Sequence, residues 1–377
     1  MRQDLIKSVN KPVRLKLAYP TTPSRVYAPN IAVSGNASMH TKPGVCKLDP
    51  NISSDLAIDF ESELYARIIG QPQAVDTLVR AYKTFLIGMN PPNRPIAVLL
   101  FAGPTGVGKT QSTRAMASAL YGDSHAYTKI DCGEFQSNHE IAKILSSPPG
   151  YLGHRETPAL LTQAALDKFQ TTKSPLNILL FDEIEKASDA LWQLLLGVFD
   201  TGRLTLGTNQ ITDFSKTIIV MTTNLGAREM ERIAKGQHIG FQQPETSSAT
   251  AAVDTKIRGT FTPEFMNRID SVVIFDKLER ESLRKIFKLE MNALQERIVS
   301  SAAKCPIFVL RYTDAAESLL IDAGTDPRYG ARELKRTIEK RVVTPLSNLL
   351  LSRQVHPSST VTIDVDNDEI VFLEQTA

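Results

Sequence analysis

Cysteine is scarce in this sequence. The 377 residues include only Cys46, Cys132 and Cys305, far apart and in no paired ligand spacing. That excludes a disulfide framework and a cysteine-bound zinc as organising principles, and suits a reducing compartment. Long apolar runs are missing as well, with nothing approaching the roughly 18 residues that a membrane-spanning helix requires. No charge of one sign dominates. The 43 Lys and Arg against 41 Asp and Glu leave a formal net charge of +2, which calls for neither nucleic acid nor a membrane as partner. No internal repeat is visible. One local shortage stands out: no acidic residue lies between Leu5 and Leu48, while Lys7, Lys11, Arg14, Lys16, Arg25, Lys42 and Lys47 are spread through that segment. A flexible tail is the favoured reading, because Pro12, Pro20, Pro23, Pro29 and Pro43 interrupt any amphipathic helix. The alternative is an organelle transit peptide, which shares this basic, acid-poor composition. No apolar core follows the first charges, so a secretory signal is not expected. The expected location is cytoplasmic, or an organelle matrix on the transit-peptide reading.

What is present is the composition of a soluble globular protein, 42% hydrophobic and 22% charged, long enough for two or three structural units. Structured sequence is expected to begin near Phe60. Gln71-Pro72 opens a helical pattern in which Ala74, Val75, Leu78, Val79 and Tyr82 recur at three-and-four spacing. Three apolar runs, Ile96 to Ala102, Asn177 to Phe181 and Thr217 to Thr222, read as buried parallel strands separated by helices, and Ser271 to Phe275 as another. From Glu279 helical periodicity dominates, until Thr360 to Val365 and Glu369 to Leu373 suggest a terminal β-hairpin. The expected class is α/β. A large domain over 61–275, with a parallel sheet covered by helices, precedes a small α+β domain over 276–377, behind a basic extension at 1–60.

Gly103 to Thr110 reads GPTGVGKT and matches the phosphate-binding loop G-x-x-x-x-G-K-[ST] between a strand and a helix. Gly103, Gly106 and Gly108 free the backbone of the loop, Gly103, Pro104, Thr105, Gly106, Val107 and Gly108, so that its N–H groups, which Pro104 lacks, can cradle phosphate at a helix N-terminus. Lys109 supplies a point charge to the β- and γ-phosphates, and the Thr110 hydroxyl suits Mg²⁺. ATP and Mg²⁺ are the expected cofactors. In ILLFDEIEK, Ile178 to Lys186, an apolar strand delivers Asp182 to the Mg²⁺ shell and Glu183 as general base on water. IIVMTTN ends in Asn224, a neutral amide suited to holding that water in line. Taken singly, an acidic strand end is more often a helix cap and a terminal Asn a turn residue; the order of the three motifs favours the site.

These residues in this order resemble the Clp ATPase family of AAA+ proteins, in particular its C-terminal ATPase module, from about Ile68 to Phe372. The resemblance also includes IIGQ (Ile68 to Gln71), PPGYLG (Pro148 to Gly153), TGRLTLG (Thr201 to Gly207), MTTNLG (Met221 to Gly226), FTPEFMNRID (Phe261 to Asp270) and DPRYGARELKR (Asp326 to Arg336). It implies a P-loop AAA+ fold and an ATP-driven unfoldase or chaperone that threads unfolded or tagged protein through a homo-oligomeric, hexameric ring. By position it implies that Ile69 contacts adenine, that Arg268 is an arginine finger reaching the neighbouring subunit's γ-phosphate, and that Arg332 is a second sensor on its own. Both roles suit the planar guanidinium fork, although an isolated Arg is more often a salt-bridge partner.

Tyr151, with Leu152 beside it, sits between glycines in a segment that in the family faces the pore. An aromatic ring with a polar tip can press on an extended chain without reading its sequence. His154-Arg155-Glu156-Thr157 departs from the acidic, glycine-containing continuation expected there, which puts grip strength and substrate preference in question. Gly202-Arg203-Leu204 resembles a second pore-facing loop. Ile239-Gly240-Phe241 is an apolar tripeptide in a polar stretch; it either docks on a barrel-shaped peptidase, as in protease-coupled relatives, or pins its loop to its own domain. Three functions therefore stand at this point: an unfoldase acting alone, the regulatory subunit of a compartmental protease, and a nucleotide-gated scaffold. The intact Glu183 and Arg268 speak against the last.

Overall fold

A computed structural model describes residues 48, 52–146, 159–227, 229–230, 246–301, 306–326 and 329–375. The first helix, α1 (Asp55–Arg67), starts ahead of Phe60, because Ala57, Phe60 and Leu64 already form one buried face. Asp55 in its first turn and Arg67 in its last complement the helix dipole. Helix α2 (Pro72–Leu86) begins, as its Pro predicts, at the first turn. It packs on α1 partly through Phe60 and Tyr82, whose ring centroids lie 4.3 Å apart.

Five strands, β1 (Ala97–Ala102), β2 (Thr128–Asp131), β3 (Asn177–Asp182), and two that we number β6 (Thr217–Thr223) and β7 (Ser271–Ile274), make one sheet, after the short hairpin strands β4 (Arg203–Thr205) and β5 (Ile211–Asp213) are set apart. Its order is β2-β3-β6-β1-β7 and every pairing is parallel. Alternation along β1 explains why the strand is apolar throughout. Val98, Leu100 and Ala102 enter the core on one face of the sheet, and Ala97, Leu99 and Phe101 enter the core on the other. The helices covering these faces include α3 (Lys109–Tyr121), α4 (Asp189–Thr201) and α5 (Thr246–Thr260).

Beyond Asp276 a third core gathers Leu283, Phe287, Met291 and Leu294 of α6 (Arg280–Ser300) with Leu320 of α7 (Asp314–Ala323) and Leu334 of α8 (Ala331–Ile338). Helix α9 (Thr344–Leu351) follows, and then β9 (Thr360–Asp366) and β10 (Glu369–Gln375) form the expected hairpin. A further short strand, β8 (Val309–Tyr312), adds to β9 in parallel. Among the described residues no helix is long and apolar enough to cross a membrane.

Candidate nucleotide site

The strand order decides which side chains meet. The carboxyl ends of β3, β6 and β1 are adjacent, so the residue after β6 falls between the acidic end of β3 and the glycine loop that follows β1. Ligands collect at such strand ends in open parallel sheets. A cavity of about 570 Å³ opens there, lined by Thr105 to Thr110, Asp182, Glu183 and Asn224, and on the side of the small domain by Leu278, Ile286, Leu289 and Arg332. Its apolar end contains Ile68 and Ile69, and its polar end the loop and the acids.

Gly103 and Pro104 do not line this cavity, but their carbonyls accept hydrogen bonds from Lys109 Nζ at 2.6 and 2.7 Å. Gly108 has φ 110°, and a Cβ placed on it would meet nothing within 4 Å, so the space beside it is open to a ligand. Gly106 is needed for a different reason: a Cβ there would run into the carbonyl of Tyr329. The small domain rests directly on the loop, with the Ala331 N–H donating to Gly106 O at 3.1 Å.

Lys109 is buried, and its third hydrogen bond goes to Asn224 Oδ1 at 2.9 Å. Asn224 Nδ2 donates to Glu183 Oε1 at 2.8 Å. The amide orientation is fixed by chemistry, since a flip would set its NH₂ against an ammonium and its oxygen against a carboxylate. Burial pushes the Lys109 ammonium down to about 8, against the opposing pull of Glu185, Asp182 and Glu183. The second oxygen of Glu183 pairs with Lys186 at 2.5 Å. Glu183 itself is a non-glycine residue at φ 57°, a strained backbone of the kind that gathers at functional sites.

Asp182 accepts from Thr110 Oγ1 at 3.3 Å and from Thr222 Oγ1 at 2.6 Å, and pairs with Lys129 Nζ at 2.7 Å. Burial works to raise its carboxyl, but the hydrogen bonds from Lys129 and Thr222 outweigh it and hold the group below the ordinary carboxylate range. Arg332 reaches the cavity from its own small domain. Arg268 does not. Its Nε is 2.7 Å from Asp200 Oδ2, and its Nη1 donates to Glu264 O at 3.2 Å. The segment carrying it is held onto α4 by aromatic packing, with Trp192 and Phe261 centroids 5.1 Å apart and Phe199 and Phe265 centroids 5.7 Å apart.

Tyr151, Leu152 and the tripeptide Ile239-Gly240-Phe241 lie outside the described residues. Of Gly202-Arg203-Leu204 only Arg203 is presented outward. Leu204 is 7% exposed and belongs to the core, because strand alternation turns it inward. Sequence reasoning missed four contributors. Lys129 comes from β2, a short edge strand whose apolar signal is one residue, Ile130. Thr222 and Glu185 stand inside quoted motifs without a role. Gln71 closes IIGQ: it donates to Val107 O at 3.3 Å and Asp276 O at 2.9 Å, and accepts from Asp276 N at 3.2 Å. One buried amide thus ties the phosphate loop to the start of the small domain.

A glycine loop, a strand-end acid pair, an intervening Asn and an Arg from a following small domain define the P-loop AAA+ class of nucleotide-binding protein. The chain matches the family model "AAA domain (Cdc48 subfamily)" over residues 94–272 and that of the "C-terminal, D2-small domain, of ClpB protein" over residues 278–363. It belongs to the Clp ATPase family. It is 36% identical over 313 residues to the chaperone protein ClpB of Rhodopirellula baltica, covering 83% of this chain and 34% of that protein. To the ATP-dependent Clp protease ATP-binding subunit ClpA homolog of Cyanidium caldarium it is 35% identical, covering 87% of this chain and 37% of the relative. Its fold superposes with a TM-score of 0.71 and 30% identity on a closed-state cryo-EM reconstruction of Hsp104 with ATPyS and FITC casein, covering 84% of this chain and 51% of that one. The chain thus spans about a third of the length of these two curated relatives.

Proposed function

We propose that this protein hydrolyses ATP and uses the cycle to unfold or remodel polypeptides, working as a homo-oligomeric, hexameric ring. The observation that carries the reading is the relay Lys109–Asn224–Glu183, with hydrogen bonds of 2.9 and 2.8 Å. It joins three residues of one cavity, which on this reading act as a phosphate-binding cation, a water-holding amide and a general base. Glu183 takes the proton from the attacking water, Asn224 orients that water, and Lys109 exchanges its loop carbonyls for the β- and γ-phosphates. Thr110 and Asp182 offer two adjacent hard oxygen donors, which fit Mg²⁺ bound mainly through substrate phosphates and water. When bound, Mg²⁺ supplies positive charge to those phosphates. Ile69 and its apolar neighbours take the base, and Arg332 carries the phosphate state to the small domain. The division we propose, 61–275 and 276–377, makes Asp276, held by Gln71, the hinge of that motion. Tyr151 and Leu152 are the proposed grip on substrate, and unfolded protein the proposed substrate class.

Phosphate release by the full chain, with and without a permanently unfolded protein, tests this. Basal turnover stimulated by the polypeptide is expected, as is its loss by roughly 100-fold or more in Glu183→Gln with ATP still bound. A basal rate indifferent to every polypeptide would overturn the remodelling role, and no turnover at all would overturn the enzyme.

A further inference from the structure

The acidic motif at the end of β3 holds a third carboxylate, Glu185, which adds to the pull on Lys109 but takes no step in the hydrolysis proposed above. Glu185 stands on the single turn Ile184–Lys186, and that turn is rigid. Ile184 is fully buried, Trp192 Nε1 donates to Ile184 O at 3.1 Å, and the turn closes through Lys186 N to Glu183 O at 2.9 Å. From this mount Glu185 Oε1 accepts the backbone N–H of Asn224 at 2.9 Å. Its other oxygen, Oε2, is buried and receives no hydrogen bond from any described residue. A buried carboxylate oxygen without a donor is unfavourable, so the group is held here at a cost for the sake of the one N–H that its other oxygen accepts. The arrangement therefore needs a reason beyond the hydrogen bond as such.

The reason lies in what Asn224 must do. Its amide faces Lys109 with its oxygen and Glu183 with its nitrogen, so a small shift of its Cα breaks one contact or the other. Asn224 follows the last residue of β6, where the sheet no longer fixes the backbone. Glu185 comes from the neighbouring strand's own motif, the same stretch that carries Asp182 and Glu183. Tying the Asn224 backbone to that stretch sets amide and base in one frame. We propose that Glu185 is a positioning residue for ATP hydrolysis, fixing the backbone of Asn224 so that its amide stays in line between Lys109 and Glu183. This rests on the hydrolytic reading above.

Two variants separate reach from charge. Glu185→Gln keeps the length and an acceptor oxygen for the N–H but loses the charge. Glu185→Asp keeps the charge but withdraws the carboxylate by about 1.5 Å, one carbon–carbon bond. With the full chain, Glu185→Gln is expected to keep kcat within about threefold, while Glu185→Asp loses roughly 10- to 100-fold in kcat with KM changed by no more than about twofold. Melting temperature and binding of a fluorescent ADP stay as in wild type for both. In an Asn224→Ala background, Glu185→Asp should lower kcat no further, because the group it positions is gone. The reverse order, with Asp tolerated and Gln impaired, would assign Glu185 an electrostatic role and overturn the proposal. Equal kcat in both variants, additive losses with Asn224→Ala, or loss of folding in Glu185→Gln would overturn it as well. Absence of turnover in the wild type is a separate outcome, which strikes the hydrolytic reading.

Discussion

Asn224 shows how much one neutral side chain can carry. Its position demands a group that accepts from an ammonium on one side and donates to a carboxylate on the other, and only an amide of this length does both. Asp is its isostere and the most damaging small change. Asn224→Asp would keep the contact with Lys109 but set a carboxylate within hydrogen-bond distance of Glu183, so that two like charges compete for one lysine. The resulting repulsion turns the base away from the water. We expect Asn224→Asp to lower kcat for ATP by about 100-fold or more, beyond the loss in Asn224→Ala, while ATP affinity changes little. Steady-state phosphate release and equilibrium binding of a fluorescent ATP analogue measure the two effects separately. A variant with Asp more active than Ala would mean that the amide nitrogen has no part in the reaction.

At the level of elements, the glycine loop, the strands β1, β3 and β6 and the terminal hairpin are all legible, because each is a short apolar run or a motif bounded by turn residues. Lys109, Asp182, Glu183 and Asn224 were legible as members of those motifs. What could not be read was which strand lies beside which: the order β3-β6-β1, which puts Asn224 between base and lysine, comes from non-local pairing that local patterns do not encode. The edge strand β2 escaped for want of apolar length, and Lys129 with it. The seat of the small domain on the phosphate loop was equally hidden, since it is made by backbone. Gly330, at φ 52°, lets α8 start against Gly106, and a Cβ on Gly330 would lie 2.8 Å from Gly106 O. Gly330→Ala must therefore push α8 off the loop or strain its own backbone, at a cost of about 1–3 kcal/mol. The expected result is a lower melting temperature together with weaker ADP binding, since Arg332 rides on the same helix. Calorimetry and nucleotide titration would show both. A variant that melts lower but binds ADP as wild type would disconnect this contact from the nucleotide.

On the scale of the whole molecule, Gly103 and Pro104 stay out of the cavity lining but hold Lys109, whereas Arg268 is away from the cavity and from every group that lines it. In the single chain its guanidinium is engaged by Asp200 and Glu264 of the same chain, on a segment fastened by Phe261 and Phe265. On the ring reading proposed above, this cation, which lies outside its own nucleotide cavity, serves a neighbour's. Head-to-tail contacts of that kind give a ring where the rotation between copies closes. The geometry has a consequence that a self-contained site would not share. Arg268→Ala and Glu183→Gln should each abolish turnover alone. Mixed together, they should recover it, because a site cradled by an Arg268→Ala copy keeps its own Glu183 and borrows Arg268 from a Glu183→Gln neighbour. In random equimolar rings about one site in four meets both conditions, so up to roughly 25% of wild-type turnover should return. Coordination between neighbours would lower that figure without bringing it to zero. Phosphate release across a mixing series, with exchange of copies verified by a fluorescent label, measures it. Recovery peaking near equal proportions is the signature of a shared site; a flat, inactive series from rings shown to be mixed would mean that each copy completes its own triphosphate.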